Sequence, residues 1–170
     1  MFQSFVPNEA LEFAGFVLAH SAWIADANRD GELICPFAVI EKDGTQLINF
    51  ESETQEEAVA KGWASFADAR LGNYPWAFGR EGILRTSDGE GTDVLTVTVW
   101  IPDMQSCCSV VQRFGRREDQ AIFFADAPEL LIHEGDSATL VKRWDAGGLE
   151  RGIAQHPQGS MWPIWNASGA

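Results

Sequence analysis

The most regular alternation of hydrophobic and polar positions in the chain lies at residues 92–101. One set of alternate positions is aliphatic and the other carries threonines and a tryptophan: Leu95, Val97, Val99 and Ile101 against Thr96, Thr98 and Trp100. A period of two, with β-branched residues throughout, is typical of a half-buried strand. We therefore expect an antiparallel sheet organised around this strand, with helices covering its aliphatic face.

An apolar pattern with helical spacing precedes this strand and predicts a first helix at about residues 9–26, with Asn8 as the N-cap. The apolar positions cover much of the helix circumference. A stripe of that width predicts burial on two sides, one against the sheet. The other side would lie against either the C-terminal tail or a second subunit.

The segment Thr54-Gln-Glu-Glu57 is a capping box, which predicts the start of a second helix. The helix should end at Gly72-Asn73, since glycine and asparagine are typical of the position after a helix. We expect Trp63 on the buried side of this helix. The small neighbour Gly62 indicates a close approach of the helix to the sheet.

Further strands are predicted from β-branched and aromatic runs between turn residues, at residues 33–40, 46–50, 76–85, 107–114 and 122–126, with a last edge pair at 129–133 and 139–144. Pro36 indicates an edge position or a bulge in the first of these strands. The order α-β-β-α-β-β-β predicts an α+β fold with two helices and an antiparallel sheet of five or more strands. In this order of elements, over about residues 9–126, the chain resembles profilin-like and roadblock-like α+β domains. The resemblance implies the fold and no functional residues.

The composition changes after residue 144, where glycine, proline and tryptophan become frequent. We expect residues 1–144 to form a single α+β domain. Residues 145–170 would be a loop-like C-terminal tail that packs on the domain or on a partner subunit.

The chain of 170 residues contains 25 acidic and 12 basic residues and has a formal net charge of −13. A surface of this charge repels phosphate backbones and anionic lipids, so nucleic acid and membranes are poor partners. It favours a basic protein partner or a cation. The chain contains no apolar run of the ~20 residues that a membrane-spanning helix needs.

The chain contains three cysteines, at positions 35, 107 and 108. This is an odd number, and no two of them are spaced as Cys-x-x-Cys. This count favours a reducing compartment, and we expect a cytoplasmic protein without a zinc site. Cys107 and Cys108 are neighbours in a predicted strand, so at most one of their sulfur atoms faces the core.

The segment Asp26-x-Asn28-x-Asp30-Gly31 matches the first half of a calcium-binding loop. Position twelve of that loop requires an acid and is Phe37 here, so a carboxylate from elsewhere, Glu12 or Glu41, would have to replace it. The alternative is a loop after the first helix in which the Asx side chains cap the turn. Calcium at Asp26, Asn28 and Asp30 is the only cofactor that the sequence suggests.

Nucleophilic chemistry has one candidate, a pairing of His20 with Cys35 or Cys108, for which the spacing supplies no support. The alternative is a partly buried, hydrogen-bonded histidine. His133 and His156 form no ligand spacing with each other. The sequence therefore contains no assembled catalytic set.

Seven tryptophans are present, and three of them predict contact surfaces. Trp100 would mark an interface if the threonine face of its strand is open to solvent, since aromatic residues dominate interface hot spots. Trp162 and Trp165 anchor the tail, either in a groove of the same domain or across a dimer.

These features favour a protein–protein interaction or regulatory module, with a basic partner and a tendency to form a homodimer. An inhibitor or immunity-type protein against a basic toxin would be one form of it. The alternative is a small-molecule or metal-binding protein, or an enzyme, with a pocket between the first helix and the sheet.

Overall fold

A computed structural model describes residues 6–71, 73–85 and 87–166 of the chain. These residues form an α+β fold with an eight-stranded antiparallel sheet and four helices. The helices are α1 (Asn8–Ala27), α2 (Gln55–Leu71), α3 (Gly147–Gln155) and α4 (Trp162–Asn166). The strands are β1 (Phe37–Glu41), β2 (Thr45–Asn49), β3 (Trp76–Arg85), β4 (Gly91–Trp100), β5 (Cys108–Arg116), β6 (Ile122–Phe124), β7 (Glu129–Glu134) and β8 (Ser137–Leu140).

The strand predicted at residues 92–101 is β4, and it lies at the centre of the sheet. The strand order is β2-β1-β3-β4-β5-β7-β8, with β6 paired to β5. Strands β1 and β2 form a hairpin in which Glu41 pairs with Thr45, so its loop consists of residues 42–44; Asp43 and Gly44 have positive φ in this loop, 52° and 107°.

Helices cover both faces of the sheet. On one face α1 packs against an aliphatic core that includes the alternate residues Leu95, Val97 and Val99 of β4. On the other face α2 packs against a smaller and more aromatic core, which includes Trp76, Phe78, Trp100 and Phe66. The prediction that the two upstream helices cover the aliphatic face of β4 is confirmed for α1 and wrong for α2, which packs on the opposite face.

The two-sided burial of α1 is also confirmed, and its second neighbour is α3. The backbones of these helices touch at glycines. A Cβ atom added at Gly15 would lie 2.1 Å from the Leu149 carbonyl oxygen, and one at Gly152 would lie 1.9 Å from the Glu12 carbonyl oxygen. Any larger residue at these two positions would push the helices apart.

The prediction of a loop-like segment after residue 144 is wrong, because that segment forms α3 and α4. Glycine is the weakest helix former after proline, and α3 begins with Gly147 and Gly148 and contains Gly152. Local sequence therefore indicates a loop at α3. Burial of Leu149 and Ile153 against α1 supplies the stability that propensity lacks.

The threonine half of the capping box is confirmed, since the Glu57 amide donates a hydrogen bond to Thr54 Oγ1 at 3.2 Å. The Glu57 carboxylate accepts a hydrogen bond from the Ser52 hydroxyl at 3.4 Å. The described part of α2 ends at Leu71; the predicted stop residue Gly72 lies outside the described residues. The burial predicted for Trp63 is wrong, because its side chain is 40% exposed. The close approach at Gly62 is confirmed, since a Cβ there would lie 2.4 Å from the Phe78 ring.

Most element boundaries differ from the prediction by one or two residues, and the first and last strands differ by more: the strand predicted at residues 139–144 is β8, Ser137–Leu140. The first strand starts at Phe37, because the Ile34 amide donates to the Glu81 carboxylate at 3.0 Å and takes no part in the sheet. Pro36 therefore precedes β1, and the edge strand is β2. Asn8 is the first residue of α1, and Pro7 occupies the N-cap position without a side-chain hydrogen bond. Among the described helices, none is both long and apolar enough to cross a membrane.

Candidate functional site

A groove of about 300 Å³ lies between the first half of α1 and the β1–β2 hairpin. The sequence had suggested a pocket between the first helix and the sheet as the less favoured alternative. Three carboxylates and two phenylalanine rings contribute to its lining, which consists of Glu9, Glu12, Phe13, Phe16, Val39, Glu41, Thr45 and Gln155. Carboxylates beside aromatic rings form a suitable environment for a cationic group.

Two of the groove carboxylates are held in place by neighbouring side chains. Glu12 Oε1 accepts a hydrogen bond from Arg151 Nε on α3 at 2.9 Å. Glu41 accepts from the Thr45 hydroxyl, at 2.8 Å and 3.0 Å to its two oxygens, across the β1–β2 ladder. Glu9 lies in the first turn of α1, where the helix dipole favours a negative charge. Glu12 and Glu41 are therefore held in place within the protein, and the ion pair with Arg151 partly offsets the charge of Glu12.

The negative surface continues on the other side of the same hairpin. A shallow cavity there contains Glu32, Glu51 and Glu53 beside the exposed Leu33. Between the two cavities runs the edge strand β2, all of whose residues are exposed. Acids therefore outnumber bases at the end of the sheet that carries β1 and β2, where Lys42 lies in the hairpin loop and Lys61 donates to the Glu51 carbonyl oxygen.

The half-motif for calcium has another structural role. Asp26 Oδ1 accepts from the first amide of β6 at 3.0 Å and faces Arg29 at 3.6 Å. Asn28 donates to the Glu32 carbonyl oxygen, and Asp30 Oδ1 accepts from the Glu32 amide at 3.1 Å. These contacts cap the turn after α1, as in the alternative interpretation. Among the described residues no group of three or more His, Cys, Asp or Glu side chains is placed to hold a metal ion.

The acids suggested as substitute calcium ligands, Glu12 and Glu41, line the groove instead. Glu12 lies fourteen positions before Asp26 in the same helix, roughly 21 Å away along its axis. Glu12 is therefore too far from Asp26 to supply the missing carboxylate of the calcium loop.

Trp100 does not meet the condition on which its predicted interface depended. Its side chain is only 8% exposed, and its Nε1 donates to the Met104 carbonyl oxygen at 2.9 Å. α2, Trp76 and Phe66 contribute to the core in which it lies. The threonine face of β4 is therefore covered at this position by the same chain.

The two C-terminal tryptophans pack on their own domain. Trp165 is 1% exposed, and the rings of Trp162 and Trp165 lie 4.6 Å and 6.2 Å from the Phe124 ring of β6. Of the two alternatives for the tail, the structure describes docking within the domain.

The structure does not bring His20 together with Cys35 or Cys108. Cys35 Sγ contacts the Pro36 and Phe50 carbonyl oxygens, and Cys108 is fully buried in the core beneath α1. Burial raises the pKa of Cys108 to about 12, so its thiol stays protonated. The described contact of His20 is with His156, at 3.1 Å. A nucleophile–base pair is therefore not assembled at these residues.

A row of polar side chains crosses the second face of the sheet, and sequence reasoning missed it. Arg80 Nη1 donates to Thr98 Oγ1 at 3.1 Å, Thr98 contacts the Ser109 hydroxyl at 2.7 Å, and Ser109 contacts His133 Nε2 at 2.6 Å. Ser109 is 1% exposed, and its hydroxyl contacts both Thr98 and His133. Ser109 is therefore not an accessible nucleophile. The threonines on alternate positions of β4 were the only signal for this row.

The groove residues were missed for a different reason. Glu9, Phe13 and Phe16 follow one another at helical spacing, but that spacing alone indicates only a common face of α1. The groove exists because the β1–β2 hairpin and Gln155 lie against that face, and both contacts are long-range.

No protein-family model matches the chain, and no curated protein or solved structure matches it significantly. The fold defines an α+β protein with helices on both faces of an antiparallel sheet. The likeness in element order to profilin-like and roadblock-like domains assigns no residue a role. Function must therefore be inferred from the groove and its surface.

Proposed function

We propose that this protein is an interaction module that binds a basic protein partner, with a lysine or arginine side chain of the partner in the groove between α1 and the β1–β2 hairpin. The observation that carries this proposal is the presence of Glu9, Glu12 and Glu41 around two phenylalanine rings. An ammonium or guanidinium group gains both from carboxylates and from the faces of aromatic rings.

The charge of the whole chain supports the same class of partner. A net charge of −13 accelerates encounter with a positive surface and disfavours nucleic acid and anionic membranes. The second acidic cavity, with Glu32, Glu51 and Glu53, extends the negative surface around the hairpin. An inhibitor or immunity-type protein that covers the basic surface of a toxin would use such a face.

A small organic cation is the second candidate ligand, and the dimensions of the groove favour it. About 300 Å³ is at the lower end of the range for small-molecule pockets. The recognition chemistry would be the same as for a partner side chain. Cys35, Cys107 and Cys108 form no disulfide bond with one another, which agrees with the proposed cytoplasmic location.

A homodimer remains part of the proposal, and the exposed strand β2 is the surface that would form it. Its residues Leu47 and Ile48 are exposed on an unpaired edge, and the strand contains no proline or charge that would block pairing. Light scattering of the wild type should give twice the chain mass, and the double variant Leu47→Lys/Ile48→Lys should give the monomer mass. A monomeric wild type at micromolar concentration would remove the dimer from the proposal.

The binding proposal is tested with a decalysine peptide, titrated calorimetrically against the wild type and two double variants. Glu9→Gln/Glu41→Gln removes two groove charges, and Glu134→Gln/Asp136→Asn removes two exposed charges near the far edge of the sheet. Two lost ion contacts should weaken binding about tenfold, since each exposed pair contributes up to roughly 1 kcal/mol. The control double variant should lose less than about twofold.

Equal losses in the two double variants would show that binding follows net charge alone, and the groove would then have no special role. Butylamine in place of the peptide distinguishes the two ligands. Saturable binding of butylamine that is lost in Glu9→Gln/Glu41→Gln would favour the small organic cation. Binding of the peptide alone would favour a protein partner.

A further inference from the structure

The contact between α1 and the segment after α3 includes two histidines in direct hydrogen bonding. His20 Nδ1 lies 3.1 Å from His156 Nε2, although the residues are 136 positions apart. The second ring nitrogen of His156, Nδ1, accepts a hydrogen bond from the Gln158 amide at 3.0 Å. The imidazole of His156 therefore bridges α1 and the turn that leads to α4.

These contacts fix the positions of the protons. Because the Gln158 amide always donates, Nδ1 of His156 carries no proton, and the proton of neutral His156 is on Nε2. Nε2 then donates to His20 Nδ1, which places the proton of neutral His20 on its own Nε2. Both rings are therefore neutral Nε2–H tautomers when the two hydrogen bonds are present.

No third proton fits this arrangement. A proton added to His156 Nδ1 would face the Gln158 N–H group. A proton added to His20 Nδ1 would face the His156 Nε2–H group, and moving that proton to His156 Nδ1 would again face Gln158. Any protonated form of the pair must therefore lose one of the two hydrogen bonds.

The described neighbours of the two histidines include no acid that forms an ion pair with a protonated imidazole. The rings that face the pair from α1 and β1 are Phe16, Trp23 and Phe37, with centroid distances of 5.0 to 6.3 Å. Among the described residues, no carboxylate or other charged group forms a hydrogen bond or ion pair with either imidazole. The two histidines are thus the titratable groups of this contact.

We propose that His20 and His156 form a proton-sensitive latch, which holds the turn after α3 closed on α1 when both rings are neutral and opens that turn when either ring is protonated. The turn comprises residues 157–161 and leads directly into α4 with Trp162 and Trp165. Acidification would therefore loosen the position of α4, a surface change that is independent of the groove.

The direction of the pH dependence follows from burial. Burial lowers the pKa of both histidines below 6.5, and the charge of His156 lowers that of His20 further. Because the pKa values in the folded state are depressed, the closed latch contributes fully to stability above pH 6.5. Its contribution is lost as the pH falls from 6.5 through the folded-state pKa values.

Nitrogen-detected NMR of the wild-type protein tests the tautomers directly. At pH 7.5 we expect Nδ1 of both His20 and His156 to be unprotonated and Nε2 to carry the proton. An Nδ1–H tautomer or an imidazolium at either residue would overturn the proposal without any substitution.

Hydrogen exchange of the Gln158 amide tests the opening. After correction for the intrinsic exchange rate, its protection should fall about tenfold between pH 7.5 and pH 5.5, as expected for the loss of one hydrogen bond. The variant His156→Gln should lack this pH dependence, because it removes the ring whose protonation displaces the Gln158 amide, whereas His133→Gln, which removes a histidine from the other face of the sheet, should retain it. A protection factor of Gln158 that is constant with pH in the wild type, or pH dependence that disappears in His133→Gln, would refute the latch.

Discussion

On the α1 side of the sheet, β4 presents Leu95, Val97 and Val99 to a helix that is itself covered by α3. On the α2 side the same strand presents Thr98 to a hydrogen-bonded row and Trp100 to a cluster of aromatic rings. Adjacent residues of a single strand therefore meet two different environments.

The two sides of the sheet differ in how they could relieve the clash caused by a larger side chain. The packing of α3 on α1 brings backbone against backbone at Gly15 and Gly152, where no side-chain rotation can relieve a clash. On the α2 side the closest contact of Gly62 is with the Phe78 ring, and Arg80 lies over the rings of Phe78 and the exposed Trp63. Side chains can tilt, so we expect the α2 side to tolerate substitutions that the α1 side does not.

The same truncation on the two sides gives the largest expected effect. Trp165→Ala should destabilise the protein by about 3–5 kcal/mol, because the tryptophan is fully buried and leaves a cavity. Trp63→Ala should cost about 1–2 kcal/mol, since that side chain is 40% exposed and loses mainly its contacts with Arg80 and Phe66. Urea unfolding measures both, and equal losses would contradict the distinction between the sides.

A single methyl group at the helix crossing should have the next largest effect. Gly152→Ala places its Cβ 1.9 Å from the Glu12 carbonyl oxygen, and the required shift of α3 should cost about 2–3 kcal/mol. Gly147→Ala in the same helix is the matched control, because its nearest neighbours are side-chain atoms at 3.1 Å and beyond. Thermal unfolding should separate the variants by several degrees, and coincident curves would show that α1 and α3 can move apart freely.

On the α2 side the equivalent substitution should be much milder. Gly62→Ala brings its Cβ to 2.4 Å from the tip of the Phe78 ring, which can tilt, and alanine stabilises a helix interior by about 1 kcal/mol relative to glycine. We expect a net loss below about 1 kcal/mol in urea unfolding. A loss as large as that of Gly152→Ala would mean that the aromatic cluster is as rigid as the backbone contact.

The smallest expected effect on stability is the pH dependence that a buried carboxylate on the α1 side, Glu81, contributes. Glu81 pairs with Leu95 across the sheet and is buried, and burial raises its pKa above 4.5 despite the hydrogen bond from the Ile34 amide and the charge of Arg116. A raised pKa in the folded state means that stability falls as the pH rises from 4.5 through that pKa. Glu81→Gln should abolish this decline, so the stability of the wild type relative to the variant should decrease between pH 4 and pH 7. A difference that is constant over this range would show that Glu81 titrates like an exposed acid.

Much of the sheet and two of its helices could be predicted, because their signals are local. The alternation in β4 and the helix start at Thr54 each depend on residues within about ten positions of one another. The strand and the threonine cap are both confirmed. The start of β1 was misplaced because the Ile34 amide bonds to a side chain 47 positions away. Helix α3 was missed because its stability comes from α1 and not from its own glycine-rich sequence.

The candidate site could be predicted only in outline. A pocket between the first helix and the sheet was a stated alternative, and Glu12 and Glu41 were singled out for a different role at the calcium half-motif. Their actual neighbours, Arg151 on α3 and Thr45 on β2, determine which way they point. Trp63 shows the same limit: helical spacing placed it in the core, whereas its ring lies over the Arg80 guanidinium and remains 40% exposed.

The contact between α1 and α3 also constrains the order of events during synthesis. Helix α1 is translated before every strand of the sheet, yet the surface around Gly15 acquires its cover only when Leu149 and Ile153 have left the ribosome. Until then the nascent chain exposes one apolar side of α1, which a chaperone can bind or which a neighbouring nascent chain can capture. The packing of α3 on α1 therefore becomes possible only after all eight strands of the sheet have been translated.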